Sequence, residues 1–205
     1  MTKTPVALLI SGRGSNATAL IEACKAENFP ARVCIVISNN PEAPGLEVAR
    51  QAGLRTQVVD HRPFGKNREA HEQALHACLT EAGAELICLA GYMRLLTPWL
   101  TSTWAGRMLN IHPSLLPSFP GLHTHERALE AGVRLHGCTV HIVTEGMDEG
   151  PVLGQAAVPV LPSDTADALA ARVLKQEHRL YPTVVKHFLD KTAPACQGGE
   201  ALLVG

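Results

Sequence analysis

Short apolar runs alternate with helix-patterned segments along most of this chain, and that alternation admits few folds. Pro5 to Ser11 reads as a buried strand, followed by strands over Arg32–Ser38, Arg55–Val59, Glu85–Ala90 and Arg107–Ile111. Helices are expected between them at Asn16–Ala26, Gly45–Ala52 and Lys66–Ala82. A further helix covers His125–Ala131. Strands over Cys138–Val143 and Pro151–Val160 flank a tight acidic turn, and a long helix begins near Ser163–Asp164 and is interrupted at Pro182. Strands alternating with helices predict an α/β protein: a mostly parallel twisted sheet, helices on both faces, antiparallel strands near the C-terminal part. The chain is expected to form a single domain over residues 1–190, with 191–205 a short mobile tail.

Hydrophobic residues make up 46% and charged residues 18% of the chain, which excludes a disordered protein. A net charge of −1 with no basic stripe argues against nucleic-acid binding. Apolar runs such as Val6–Ile10 are too short to span a bilayer, and no signal peptide precedes the first strand. The six cysteines form no C-x-x-C pair, so reduced thiols and a cytoplasmic setting are expected.

The segment Leu109-Asn110-Ile111-His112-Pro113-Ser114-Leu115-Leu116-Pro117 ends a strand on an amide and an imidazole two residues apart. Side chains at i and i+2 of a strand leave the same face. An amide N–H donor beside an imidazole suits a carbonyl carbon under attack: the amide holds the developing oxyanion and the imidazole donates a hydrogen bond or moves a proton. The plainer reading is a strand that ends in polar residues. Pro113 to Thr124 lacks apolar period and is rich in Pro, Gly and His, which predicts a functional loop that is mobile when empty and orders around ligands.

Ser11-Gly12-Arg13-Gly14-Ser15-Asn16 joins the first strand to the first helix. Such a turn takes a phosphate monoester, a dinucleotide, or nothing at all. A dinucleotide site needs an acidic residue at the end of the second strand, where Ser38-Asn39-Asn40 stands instead. Asp148 occupies a Gly-flanked turn; it is a turn-former or, if folded over Asn110 and His112, the carboxylate that holds a protonated imidazole. Glu177 falls in register with the apolar stripe Leu169, Val173, Leu180 and Val184, either snorkelling at its edge or reaching a ligand hydroxyl. The pairs His123/His125 and His136/His141 match no zinc spacing, so no metal is expected.

Gly12–Asn16, Leu89–Leu96, Asn110–Pro117, Pro120–His125, Asp148–Pro151 and Gln176–His178 together resemble the phosphoribosylglycinamide formyltransferase family of purine synthesis. The resemblance runs in order from about residue 5 to 190 and implies a Rossmann-like formyltransferase fold. It implies that Asn110, His112 and Asp148 are catalytic. Gly14, Ser15, Asn16, Pro113, Lys175, Gln176 and Glu177 would bind the ribonucleotide. Arg68, Met93, Arg94, Leu95 and Leu96 would bind the folate, with Thr144, Glu145, Gly146 and Met147 meeting its pterin. The co-substrate implied is 10-formyltetrahydrofolate, with no metal and no nicotinamide. The partners implied are small molecules, neither nucleic acid nor membrane, with the chain a monomer or homodimer. Glu149 departs from a Gly of some relatives. Formyltetrahydrofolate hydrolases share the triad but carry an added N-terminal domain, and methionyl-tRNA formyltransferases carry an added C-terminal one. A nicotinamide dehydrogenase and a non-catalytic nucleotide-binding module are rivals of other classes.

Overall fold

A computed structural model describes residues 2–191. The tail expected over 191–205 falls, from residue 192 on, outside the described residues, as does Cys196. The chain divides into two compact units, Met1–Asn110 and Ile111–Gly205.

In the first unit the strands are β1 (Thr4–Ile10), β2 (Ala31–Ser38), β3 (Thr56–Val58), β4 (Leu86–Leu89) and β5 (Met108–His112), the last running two residues past the boundary. They lie in the order β3-β2-β1-β4-β5, all parallel. Leu8, on the central strand, pairs with Val36 on one side and Cys88 on the other. Strands flanked on both sides must shed polar side chains, and Val6 to Ile10 are accordingly all buried. The connecting helices are α1 (Ser15–Lys25), α2 (Pro44–Gln51), α3 (Arg68–Glu81) and α4 (Pro98–Thr103). Asn67 caps α3, its side-chain oxygen accepting the Ala70 N–H at 3.0 Å. Lys3 donates from Nζ to the carbonyls of Cys24 and Ala26, closing the C-terminal end of α1 onto the start of β1.

The second unit holds α5 (Thr124–Glu130), β6 (Leu135–Ile142), β7 (Val152–Pro159) and α6 (Ala166–Leu189). β6 and β7 pair antiparallel from Leu135↔Pro159 to His141↔Val152, with a register shift between Val140 and His141. A bulge of this kind turns the side chains beyond it. Leu169, Val173, Leu180 and Val184 are buried along α6, as their spacing predicts.

The α/β pattern and the antiparallel C-terminal strands match the sequence reading; three details differ. Helix α6 runs straight through Pro182 instead of breaking there. The ring removes one backbone bond, to the carbonyl of His178, at a cost of about 3 kcal/mol in an isolated helix. Here Leu180, Tyr181, Val184 and Val185, all buried, hold both sides of it in place. Helix α4 was not foreseen, because Thr, Ser and Trp are weak helix formers and six residues show no period. Strand β6 begins three residues before the expected Cys138.

Candidate active site

In the first unit, the turn after β1 passes through Gly14 at φ +66°, the left-handed region that only glycine enters without strain, and starts α1 with no side-chain cap. The Gly45 N–H donates to the Gly12 carbonyl at 3.1 Å, and a Cβ at Gly45 would stand 2.9 Å from the Arg13 carbonyl. Helix α2 therefore packs against this turn as closely as backbone allows. Ser11, Gly12, Arg13, Gly14, Ser15, Asn16, Ala90, Gly91 and Met93 line a cleft of about 440 Å³. The uncapped N-terminus of an eleven-residue helix beside such a cleft favours an anion.

Asn39 stands where a dinucleotide site would carry an acid. It is buried and its side chain is committed: Oδ1 accepts from Ser11 Oγ at 2.5 Å, and Nδ2 lies 3.2 Å from His61 Nδ1. Ser11 Oγ in turn accepts the Met93 N–H at 2.8 Å, and the Ser11 N–H donates to the Gly91 carbonyl at 3.1 Å. The bonds that join these three positions escaped the sequence reading, since no local pattern connects residues 11, 39 and 93. Beyond Met93, the segment to Leu96 leaves Met93 and Leu95 largely exposed. Its far end is fixed by buried Glu72, which accepts the Thr97 N–H at 2.8 Å and the Thr97 hydroxyl. Burial pushes the Tyr92 phenol well above its ordinary range. Arg68 is the first, exposed residue of α3.

Strand β5 carries Asn110 and His112, two residues apart, as the strand reading requires. In the second unit His112 is buried, and its ring nitrogens both face oxygen acceptors. Nε2 lies 3.0 Å from the Phe119 carbonyl, which only accepts, so this nitrogen carries hydrogen. Nδ1 lies 3.4 Å from Asp148 Oδ2. Acceptors on both sides suit the doubly protonated ring. Asp148 sits at φ +57°, tolerable for Asp, and its Oδ2 also accepts the Gly121 N–H at 2.8 Å. Its Oδ1 faces His141 Nε2 at 3.8 Å. Burial, the larger effect, pushes His141 below its ordinary value, against the pull of Asp148. His141 thus belongs to the carboxylate's surroundings, not to a metal pair with His136.

The loop after His112 is tied down along its first half. The buried Thr139 hydroxyl donates to the Ser114 carbonyl at 2.6 Å and accepts the Leu116 N–H at 3.0 Å and Gln155 Nε2 at 3.0 Å. Gln155 Nε2 also reaches the Leu116 carbonyl, and the Ser114 hydroxyl donates to Ser118. Further on, Phe119 lies beneath the Arg127 guanidinium and edge-on to His136, whose Nε2 is 3.2 Å from His125 Nδ1. Burial, the largest effect, pushes His136 down to about 4, and the neighbouring His125 adds to it. On α6, Lys175 is exposed, Gln176 half-buried and Glu177 buried. Burial settles one alternative for Glu177: it does not snorkel. The turn Thr144–Met147 leaves Thr144, Glu145 and Met147 exposed. Among the described residues no group of three or more His, Cys, Asp or Glu is arranged to hold a metal, and no helix is long and apolar enough to cross a membrane.

The second unit thus holds a strand-end imidazole with a carboxylate on it, a pairing suited to proton transfer, and the first unit holds an uncapped helix start suited to an anion. The chain belongs to the formyl transferase family, whose model matches residues 4–185. Relatives that it matches over most of their length are phosphoribosylglycinamide formyltransferases. The Escherichia coli enzyme is 48% identical over 185 residues, covering 90% of this chain and 87% of that one. The Brucella melitensis crystal structure of that enzyme superposes with a TM-score of 0.88 at 53% identity, covering 98% of this chain and 100% of that one. The chain is also 44% identical over 198 residues to the human trifunctional purine biosynthetic protein adenosine-3, where it covers 97% of itself but 20% of that protein. In the Drosophila melanogaster counterpart, at 48% identity, it spans 14%.

Proposed function

We infer that this chain transfers the formyl group of 10-formyltetrahydrofolate to the primary amine of glycinamide ribonucleotide in purine biosynthesis. The observation that carries the chemistry is the buried imidazole of His112, set between the Asp148 carboxylate and a backbone carbonyl at the end of the strand that also bears Asn110. The amine attacks the formyl carbon, forming the new C–N bond. The oxyanion is stabilised by the Asn110 amide and the protonated His112. Collapse breaks the bond to N10, which takes up the proton that the amine gives to a water held by Asp148, so His112 stays protonated throughout. No residue is acylated.

Gly14, Ser15 and Asn16 hold the phosphate of the ribonucleotide, and Pro113, Lys175, Gln176 and Glu177 its remaining parts. The half-buried, uncapped start of α1 supports the former assignment. Arg68, Met93, Arg94, Leu95 and Leu96 take the folate, with Thr144, Glu145, Gly146 and Met147 at its pterin. Met93 and Leu95 in the first unit, and Met147 in the second, are exposed apolar side chains of the kind this needs. The same reading makes the chain a cytoplasmic enzyme of small molecules, one domain in function, and a monomer or homodimer. No metal or nicotinamide enters.

Folate deformylation that requires glycinamide ribonucleotide is the expected result of a coupled assay; deformylation by water alone means a hydrolase instead. Asn110→Ala should lower turnover about 10²–10³-fold while both ligands still bind. A binding module would show no turnover to lose.

A further inference from the structure

Ser11 touches two segments that the proposed function gives to different substrates: the turn Gly12–Asn16, given to the phosphate, and Met93–Leu96, given to the folate. Its hydroxyl has one proton and two lone pairs. The proton goes to Asn39 Oδ1, buried and held from behind by His61. A lone pair takes the Met93 N–H. The Ser11 backbone N–H takes the Gly91 carbonyl. One residue therefore grips the 91–93 corner by side chain and main chain together. The stretch from Met93 to Thr97 is hydrogen-bonded at its ends, to Ser11 at one and to Glu72 and Thr101 at the other.

We propose that Ser11 is a positioning residue that couples the two substrate subsites of the first unit: an anion held in the Gly12–Asn16 turn stiffens the folate segment through the Ser11 hydroxyl. The proposal rests on the substrate assignment above. An anion drawing in the amides of Ser15 and Asn16 fixes the chain that leads back to Ser11, four and five residues earlier in sequence. With its proton committed to a buried amide, the hydroxyl cannot rotate away and keeps its lone pair on Met93. The Met93 N–H is then presented in one place, and less ordering is left for the folate to impose.

The test is amide hydrogen exchange on the full chain, with inorganic phosphate as probe. In the unmodified protein, saturating phosphate should slow exchange at Ser15 and Asn16 and also at Met93 and Arg94. In Ser11→Ala the first pair should still respond and the second should not, with Met93 exchanging about tenfold faster at rest, the loss of one hydrogen bond. The KM for 10-formyltetrahydrofolate should rise about fivefold to tenfold, more than kcat falls. Ser11→Thr, which keeps the hydroxyl, should restore both behaviours. Phosphate protection at Ser15 and Asn16 without any response at Met93 in the unmodified protein overturns the coupling and leaves the phosphate site standing. Protection of neither removes the phosphate site and the coupling with it. If Ser11→Ala does not fold, the response of Met93 in the unmodified protein decides the matter.

Discussion

Asp148 holds the His112 ring and the Gly121 backbone with the same oxygen, Oδ2, at 3.4 Å and 2.8 Å. One carboxylate thus fixes both the imidazole and the loop beside it. Asp148→Asn keeps the side-chain shape and tolerates the left-handed backbone at φ +57°, but deletes the charge. Turnover should fall about 10²–10³-fold, with either KM changed far less. Steady-state kinetics at saturating levels of both substrates check this; loss confined to KM means that the carboxylate only shapes the turn.

The Phe119 carbonyl occupies His112 Nε2. For this nitrogen to serve a bound ligand, the carbonyl must yield it. Residues 119–122 should therefore change exchange rate when both substrates or a bisubstrate mimic bind. The Leu116 and Ser118 amides, bonded to Thr139 and Leu115, should stay protected throughout. The loop expected from its prolines to be mobile as a whole is thus divided, with its first half pinned.

Gly14→Val introduces a β-branched residue at φ +66°. The strain falls on the turn and not on the folate segment. Binding of glycinamide ribonucleotide should weaken about fivefold to 150-fold, the 1–3 kcal/mol range of such backbone strain, while folate affinity stays within about twofold. Calorimetric titration of each ligand separates the two; equal losses would count against a phosphate role for this turn.

His136, held neutral by burial, titrates at about 4 when folded against an ordinary 6.5. Between those values the unfolded chain binds the extra proton and the folded chain does not. The contribution is fully present above about pH 6.5 and is lost as pH falls toward 4. His125 and His141, also pushed down by burial, act in the same direction. Melting temperature should therefore drop with acid across this window, and the slope should be shallower in His136→Gln. A slope unchanged by the substitution would assign the acid sensitivity to other groups.

Much of this was legible in the chain. The succession of strands and helices followed from apolar runs, and Asn110 with His112 from a two-residue spacing that needs only strand geometry. Asp148 was ambiguous as a turn residue until likeness to a family gave it a partner, because only tertiary folding brings it to His112. Thr139 and Gln155 carried no signal, and nothing in the chain joined Ser11 to Asn39. Their roles lie in hydrogen bonds between distant segments, and a serine or threonine at a strand end or interior looks the same whether or not it is so used. Pro182 misled because propensity describes an isolated helix and α6 is held by its packing.

The Thr139 hydroxyl is saturated, one proton given and two lone pairs filled, and the loop that follows His112 takes its path from it. Valine has nearly the same volume and none of these bonds. The position is therefore blind to size and strict about a single oxygen. In a library of all replacements at 139, serine alone should keep the loop's path. A surveyor reading only burial and shape would list this site among the freely exchangeable members of a β-strand core.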